Sequence, residues 1–224
     1  MEGRKTQLKL IKIYIDHIIK KKTFEFNGVT LPLFFHSYNN FGLTERSVEI
    51  PIIKYYLNRF PHDDVLEIGN VSKHYYDDFR NFKRKDTVDK HELSWDVINM
   101  DIKDFKSDGE YDFIYSISTF EHMDSDGGRN PDYIPINNKL FSSVAFANMD
   151  YVVNNLLAPR GKFIITFRAN YLNQEVDNSI KNEEYKNFNC RKVNIYSFKR
   201  LNELGWKQTH SKNPYLYIME ITQT

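Results

Sequence analysis

Three acidic residues, one inside an apolar run and two at the ends of the next runs, mark the first place where chemistry is expected. Glu67 lies inside Val65-Leu66-Glu67-Ile68, a strand-like run that stops at Gly69. Asp89 ends Thr87-Val88-Asp89, 20 residues beyond that glycine, and Asp101 follows Val97-Ile98-Asn99-Met100. In an open α/β sheet, ligands bind beyond the carboxyl ends of the strands. A carboxylate there accepts both hydroxyls of a ribose, and another accepts from an exocyclic adenine amine. Acids at three strand ends describe a nucleoside-shaped pocket, whereas a phosphate site needs donors.

A second group follows the strand candidate 111–117 (YDFIYSI). His122, oriented by Glu121, is placed to take a proton from a nucleophile. The competing reading makes the pair a cap for the next segment. With Asp124 and Asp126 the same pair offers oxygen and imidazole ligands for Mg²⁺ or Mn²⁺. In Asp124-Ser125-Asp126-Gly127-Gly128 the glycine comes too early for an EF-hand, and Pro135 stands where the closing glutamate belongs. A solvated acidic loop explains these aspartates, and no metal is expected. His36, Tyr38, Asn39, Asn40, Glu45 and Arg46 form a polar and aromatic group, with Arg168, Asn170 and Tyr171 after a later strand. They suit either a polar acceptor or ordinary loop packing. His74, Tyr75 and His91 are read as structural.

The elements that position these residues follow from periodicity. Leu8, Ile11, Ile15 and Ile18 recur at helical spacing, predicting an amphipathic helix packed by one face. Its lysine tail, Lys20 to Lys22, is read as a solvated helix end. Residues 24–42 read as irregular. A second helix starts near Thr44, with Pro51 kinking it or marking its true start. Residues 141–157 carry helical periodicity and stop at Pro159-Arg160-Gly161. The run 162–167 (KFIITF) is the best strand of the chain. Residues 197–204 read as a helix ended by Gly205, and runs 206–210 and 215–221 read as a closing strand pair. Alternating strands and helices predict an α/β sheet covered on both faces, with an antiparallel addition at one edge.

VLEIGN (65–70), VDKHE (88–92), INMDI (98–102), YDFIYSISTFEHM (111–123) and LLAPRGKFIITF (156–167) together resemble the class I S-adenosylmethionine-dependent methyltransferases. The likeness covers residues 63–167. It is nearest to a bacterial subgroup with LEVGN and VVDKYE motifs, associated with polysaccharide genes. It implies a doubly wound, mostly parallel seven-stranded sheet with an antiparallel last strand, and S-adenosyl-L-methionine as cofactor. It places Gly69, Asn70 and Val71 beside the methionine portion and Asp89 on the ribose. It likewise implies Asp101 and Ile102 around the adenine and Ser116 near the sulfonium. Glu67 either steadies the first loop or sits near the cofactor's amino group. The family's loop is G-x-G-x-G, and here Val71 replaces the second glycine. A β-branched residue fits neither close approach nor positive φ. Either the loop takes another path, or binding is weakened or lost. A dinucleotide site is poorer still, since one glycine of G-x-G-x-x-G remains. Asn130-Pro131-Asp132-Tyr133 resembles the NPPY motif of adenine-amino methyltransferases but sits about ten residues too late.

Composition bounds the rest. The chain has 224 residues, with 31 Lys+Arg against 30 Asp+Glu, so no global field draws nucleic acid or an anionic membrane. A single cysteine, Cys190, excludes an intramolecular disulfide and points to a reducing cytoplasm. The expected architecture is a helical N-terminal cap (1–60) on a methyltransferase-like α/β domain (61–224). The expected activity is methyl transfer to a small polar acceptor, a hydroxyl of a sugar or glycan precursor. The alternative is a non-catalytic binding module with a degenerate cofactor loop. A small-molecule or glycan partner is expected, without nucleic acid or membrane, and a homo-oligomer remains open.

Overall fold

The computed structural model describes residues 11, 15, 19–42, 44–59, 63–78, 82–123, 134–136, 139–141, 143–168, 174–188, 190, 192–201, 205–210 and 214–223. In chain order the first elements are β1 (Thr23–Phe26), β2 (Val29–Pro32), α1 (Arg46–Arg59), β3 (Asp64–Ile68), β4 (Arg84–Val88) and β5 (Tyr111–Ile117). There follow β6 (Ile134–Ile136), β7 (Lys139–Phe141), α2 (Val144–Asn155), β8 (Leu157–Arg168), α3 (Gln174–Lys181), β9 (Lys192–Leu201), β10 (Gly205–Thr209) and β11 (Leu216–Thr222). Short 3₁₀ turns sit between several of them.

Seven strands form one sheet in the order β10-β9-β11-β8-β5-β3-β4. β4, β3, β5 and β8 are parallel, and β11 is antiparallel to both of its neighbours. Side chains alternate between two cores. On β5, Phe113, Tyr115 and Ile117 enter one cluster with α1 and the β1–β2 hairpin, while Ile114 enters another with α2 and α3. With both faces covered, these strands read as near-continuous apolar runs.

The N-terminal segment departs from the expected helical cap. Residues 23–32, within the stretch read as irregular, form a β-hairpin across Asn27-Gly28, whose φ angles of 49° and 76° fit a two-residue primed turn. Phe24, Phe26 and Leu31 are buried against the sheet. Ile11 and Ile15 are helical, but both are exposed instead of packed. α1 continues through Pro51, so the proline does not mark its start. The proline has no N–H for the carbonyl of Ser47, and that carbonyl instead accepts the N–H of Phe34 at 2.9 Å.

Two further expectations change. Residues 197–201 belong to β9, and the two closing strands are not neighbours, because β9 lies between β10 and β11. The antiparallel last strand is therefore internal, and β10 forms the edge. A Cβ at Gly205 would lie 2.6 Å from the Leu201 carbonyl oxygen, so this glycine serves a tight hairpin return and not a helix end. The third strand expected at 97–100 shrinks to one bridge, Ile98 with Val88.

Candidate functional site

A cavity of about 290 Å³ opens beyond the carboxyl ends of β3, β4 and β5. Its apolar wall includes Ile68, Val88, Met100 and Ile102, and its polar wall Asp89, Asp101 and His122. Gly69 borders it at φ +86°, where a Cβ would lie 2.1 Å from Thr119 Oγ1. Only glycine fits there without moving Thr119. The glycine N–H donates to the Val88 carbonyl at 2.8 Å, docking the loop on β4.

The loop then turns sharply. Val71 donates its N–H to the Gly69 carbonyl at 3.0 Å, and its half-buried side chain packs against the cluster formed with α1 and the β1–β2 hairpin. Val71 is not among the positive-φ residues, so the loop takes another path in which a β-branched residue is tolerated. Asn70 is buried. Among the described residues, its side-chain nitrogen has no hydrogen-bond partner.

Glu67 does not line the cavity. It is fully buried, pairs with Lys85 at 2.8 Å, and accepts from Ser72 N at 2.7 Å and Tyr115 Oη at 3.1 Å. It steadies the first loop from beneath. Ser116 is also off the wall, donating its hydroxyl to the Ile68 carbonyl at 2.8 Å. Asp89 binds the loop backbones instead, accepting from Asn70 N at 3.1 Å, His91 N at 2.8 Å and Glu92 N at 2.9 Å. Three bonds leave part of a carboxylate's acceptor capacity open toward the cavity. Asp101 caps the 3₁₀ turn Ile102–Asp104 and faces Lys90 Nζ at 3.5 Å. Lys73, which follows the first loop, reaches Glu92 at 2.6 Å and fastens the two loops together.

Glu121 and His122 separate. His122 is on the cavity wall with its side chain 61% exposed, while Glu121 lies behind it, 3.6 Å from His122 Nε2. Glu121 accepts from Arg168 N at 2.5 Å and stands 3.4 Å from Arg168 Nε, which also meets Glu45 at 3.1 Å. Glu49 accepts from Ser118 Oγ at 2.7 Å and Thr166 Oγ1 at 2.6 Å and pairs with Arg46. Three buried carboxylates thus share two guanidiniums. Burial, then the charge of Glu49, pushes the Glu121 carboxyl up to about 7, and the same two causes raise Glu45.

Of the polar and aromatic group, Glu45, Arg46 and Arg168 meet in this network. Tyr38 stacks on His74 with ring centres 3.9 Å apart. The Asn40 side chain, Asp124, Asp126, the tetrapeptide 130–133, Asn170 and Tyr171 lie outside the described residues. No group of three metal-ligating side chains occurs among the described residues. Sequence reasoning did not name Thr119 and Met100, which border the cavity, or Glu49, which joins the carboxylate network; His91, read as structural, lies on the cavity wall. The signal for Glu49 was an acid embedded in the apolar stretch Val48 to Ile53.

No protein-family model and no curated protein matches the sequence. Solved structures do match. One is N-methyltransferase NodS from Bradyrhizobium japonicum WM9 in complex with S-adenosyl-L-homocysteine, at 13% identity and TM-score 0.50, covering 80% of this chain and 87% of that one. The fold is methyltransferase-like. A 1,6-didemethyltoxoflavin-N1-methyltransferase from Burkholderia thailandensis is similar at 13% identity and TM-score 0.45, covering 79% of this chain and 76% of that one. At this identity the likeness concerns the methyltransferase-like fold alone. Among the described residues no helix is long and apolar enough to cross a membrane.

Proposed function

We propose that the chain is an S-adenosylmethionine-dependent methyltransferase acting on a small polar acceptor. One observation carries this reading: Gly69, Asp89, Asp101 and Ile102, separated in sequence, border one cavity at the ends of parallel strands. The donor set fits the cofactor. Asp89 presents an acceptor for ribose hydroxyls, and Asp101 one for an adenine amine. Met100 and Ile102 give apolar faces for a base. Asn70, next to Gly69 but not on the cavity wall, keeps a buried amide donor close to the loop. When bound, the cofactor supplies a methyl group on a sulfonium, ready for displacement.

The protein's part is to orient the acceptor and accept its proton. His122 is the wall residue suited to that task, positioned by Glu121 and, through it, by Arg168. A sugar or glycan-precursor hydroxyl is the acceptor we favour. Near-neutral chain charge and the half-exposed ring of Tyr38, stacked on His74, support that preference. The likeness to LEVGN-type sequences of polysaccharide gene neighbourhoods points the same way.

Calorimetric titration with S-adenosylhomocysteine tests the reading. Saturable binding well below millimolar is expected; no heat at millimolar ligand would leave a non-catalytic, methyltransferase-like module. Once an acceptor is found, His122→Ala should keep cofactor affinity and lose about 10²-fold or more in turnover. Full turnover in that variant would dismiss His122 as the proton acceptor.

A further inference from the structure

A second hollow, of about 580 Å³, lies between the β1–β2 hairpin and α1. Leu31, Leu33, Phe34, Pro51 and Tyr55 line it, and its volume suits a ligand-sized occupant. Lys54 and Arg59 also line it, and none of its described lining residues is acidic. Lys54 Nζ stands 4.6 Å from the Phe34 ring centre, and the Arg59 guanidinium 5.4 Å from that of Tyr55. Both cations therefore lie over the aromatic walls.

An independent feature borders the same segment. The helical residues Ile11, Ile15 and Ile19 are 53%, 50% and 72% exposed. These three stand at four-residue spacing, which in a helix is the spacing of one face, and each is open to water. Lys20, Lys21 and Lys22 follow at once. The Lys22 carbonyl accepts the N–H of Leu33 at 2.9 Å, which joins the lysine run to the wall of the hollow.

We propose that this N-terminal segment docks on anionic membrane lipid. The isoleucine stripe and the hollow take hydrocarbon, and Lys20 to Lys22 with Lys54 and Arg59 take the phosphate headgroups. A helix with an apolar face beside clustered lysines has the character of one lying in a lipid interface. Nucleic acid would use the lysines but leave the stripe and hollow without a role. A second copy of the chain would set its lysine-flanked stripe into a cation-rimmed hollow, against like charge. The site lies apart from the cofactor cavity, and its test does not depend on methyl transfer.

Co-sedimentation of the full chain with vesicles reads the proposal directly. Affinity for phosphatidylcholine vesicles carrying about one-third phosphatidylglycerol should exceed that for pure phosphatidylcholine by about tenfold or more, and fall as salt rises. Ile11→Ser/Ile15→Ser/Ile19→Ser, which changes no charge, should lose about tenfold of that affinity. Asn58→Asp, which sets an acid on the exposed lining of the hollow, should also weaken it. An unchanged thermal unfolding midpoint and unchanged S-adenosylhomocysteine binding would show that both variants remain folded. Equal binding to the two vesicle types, or full affinity in the serine variant, would overturn the proposal. So would binding of submicellar dodecyl phosphate without vesicle binding, since the hollow would then serve a free amphiphile.

Discussion

Glu220, in the sheet, and Glu121, in the 3₁₀ turn that follows β5, are each 6% exposed, yet their carboxyls shift in opposite directions. Around Glu220, on β11, burial pushes upward but is outweighed by Lys162 at 2.5 Å and Asn194 at 3.1 Å; Tyr196 Oη also donates to it at 3.1 Å. Its carboxyl falls below the usual 4.5. Glu121, in that turn, is raised to about 7, because burial and Glu49 together outweigh Arg168. The interior carboxylate has its own cation, whereas those beside the cavity share theirs. Groups held near neutral pH collect at working sites, because a proton acceptor acts best close to the pH of operation.

The sharpest way to break this contrast is Lys162→Met. It strands a buried carboxylate and should destabilise the fold by about 3–5 kcal/mol, read by urea unfolding at neutral pH. In the wild type, stability from Glu220 is present above pH 4.5 and lost as pH falls through its lowered folded value. A loss under about 1 kcal/mol would mean that Lys162 does not hold that charge.

Glu121 carries the opposite sign. Its folded carboxyl titrates at about 7 against an ordinary 4.5, so the folded state binds that proton more tightly. Stability should therefore fall as pH rises between those values, by about 3 kcal/mol at 1.36 kcal/mol per unit. Glu121→Gln should flatten that slope in unfolding measured from pH 5 to pH 8. A slope as steep as in the wild type would place the shifted proton elsewhere.

The sequence and the structure agree best where a strand is buried on both faces. β3, β5, β8 and β11 are apolar runs that no amphipathic element imitates. The β1–β2 hairpin was also readable, since Asn27-Gly28 between alternating runs is a strong turn signal. The aromatic richness of residues 24–42 obscured it. β9 was misread because Phe198 and Leu201 fall three apart among good helix formers, and tertiary pairing overrode that preference. The cavity acids were legible because each closes an apolar run. The Glu45, Glu49 and Glu121 network was not, since it joins α1 to strand ends up to 117 residues away, as in the Thr166–Glu49 hydrogen bond. No local pattern encodes that distance.

The smallest expected effect bears most directly on the cavity. Calorimetry should compare S-adenosylhomocysteine binding by the wild type and by Asp89→Ala. If Asp89 holds the ribose, the variant loses at least about tenfold in affinity, or about 1.4 kcal/mol. Unchanged affinity in a folded variant would contradict the assignment of this cavity to the cofactor.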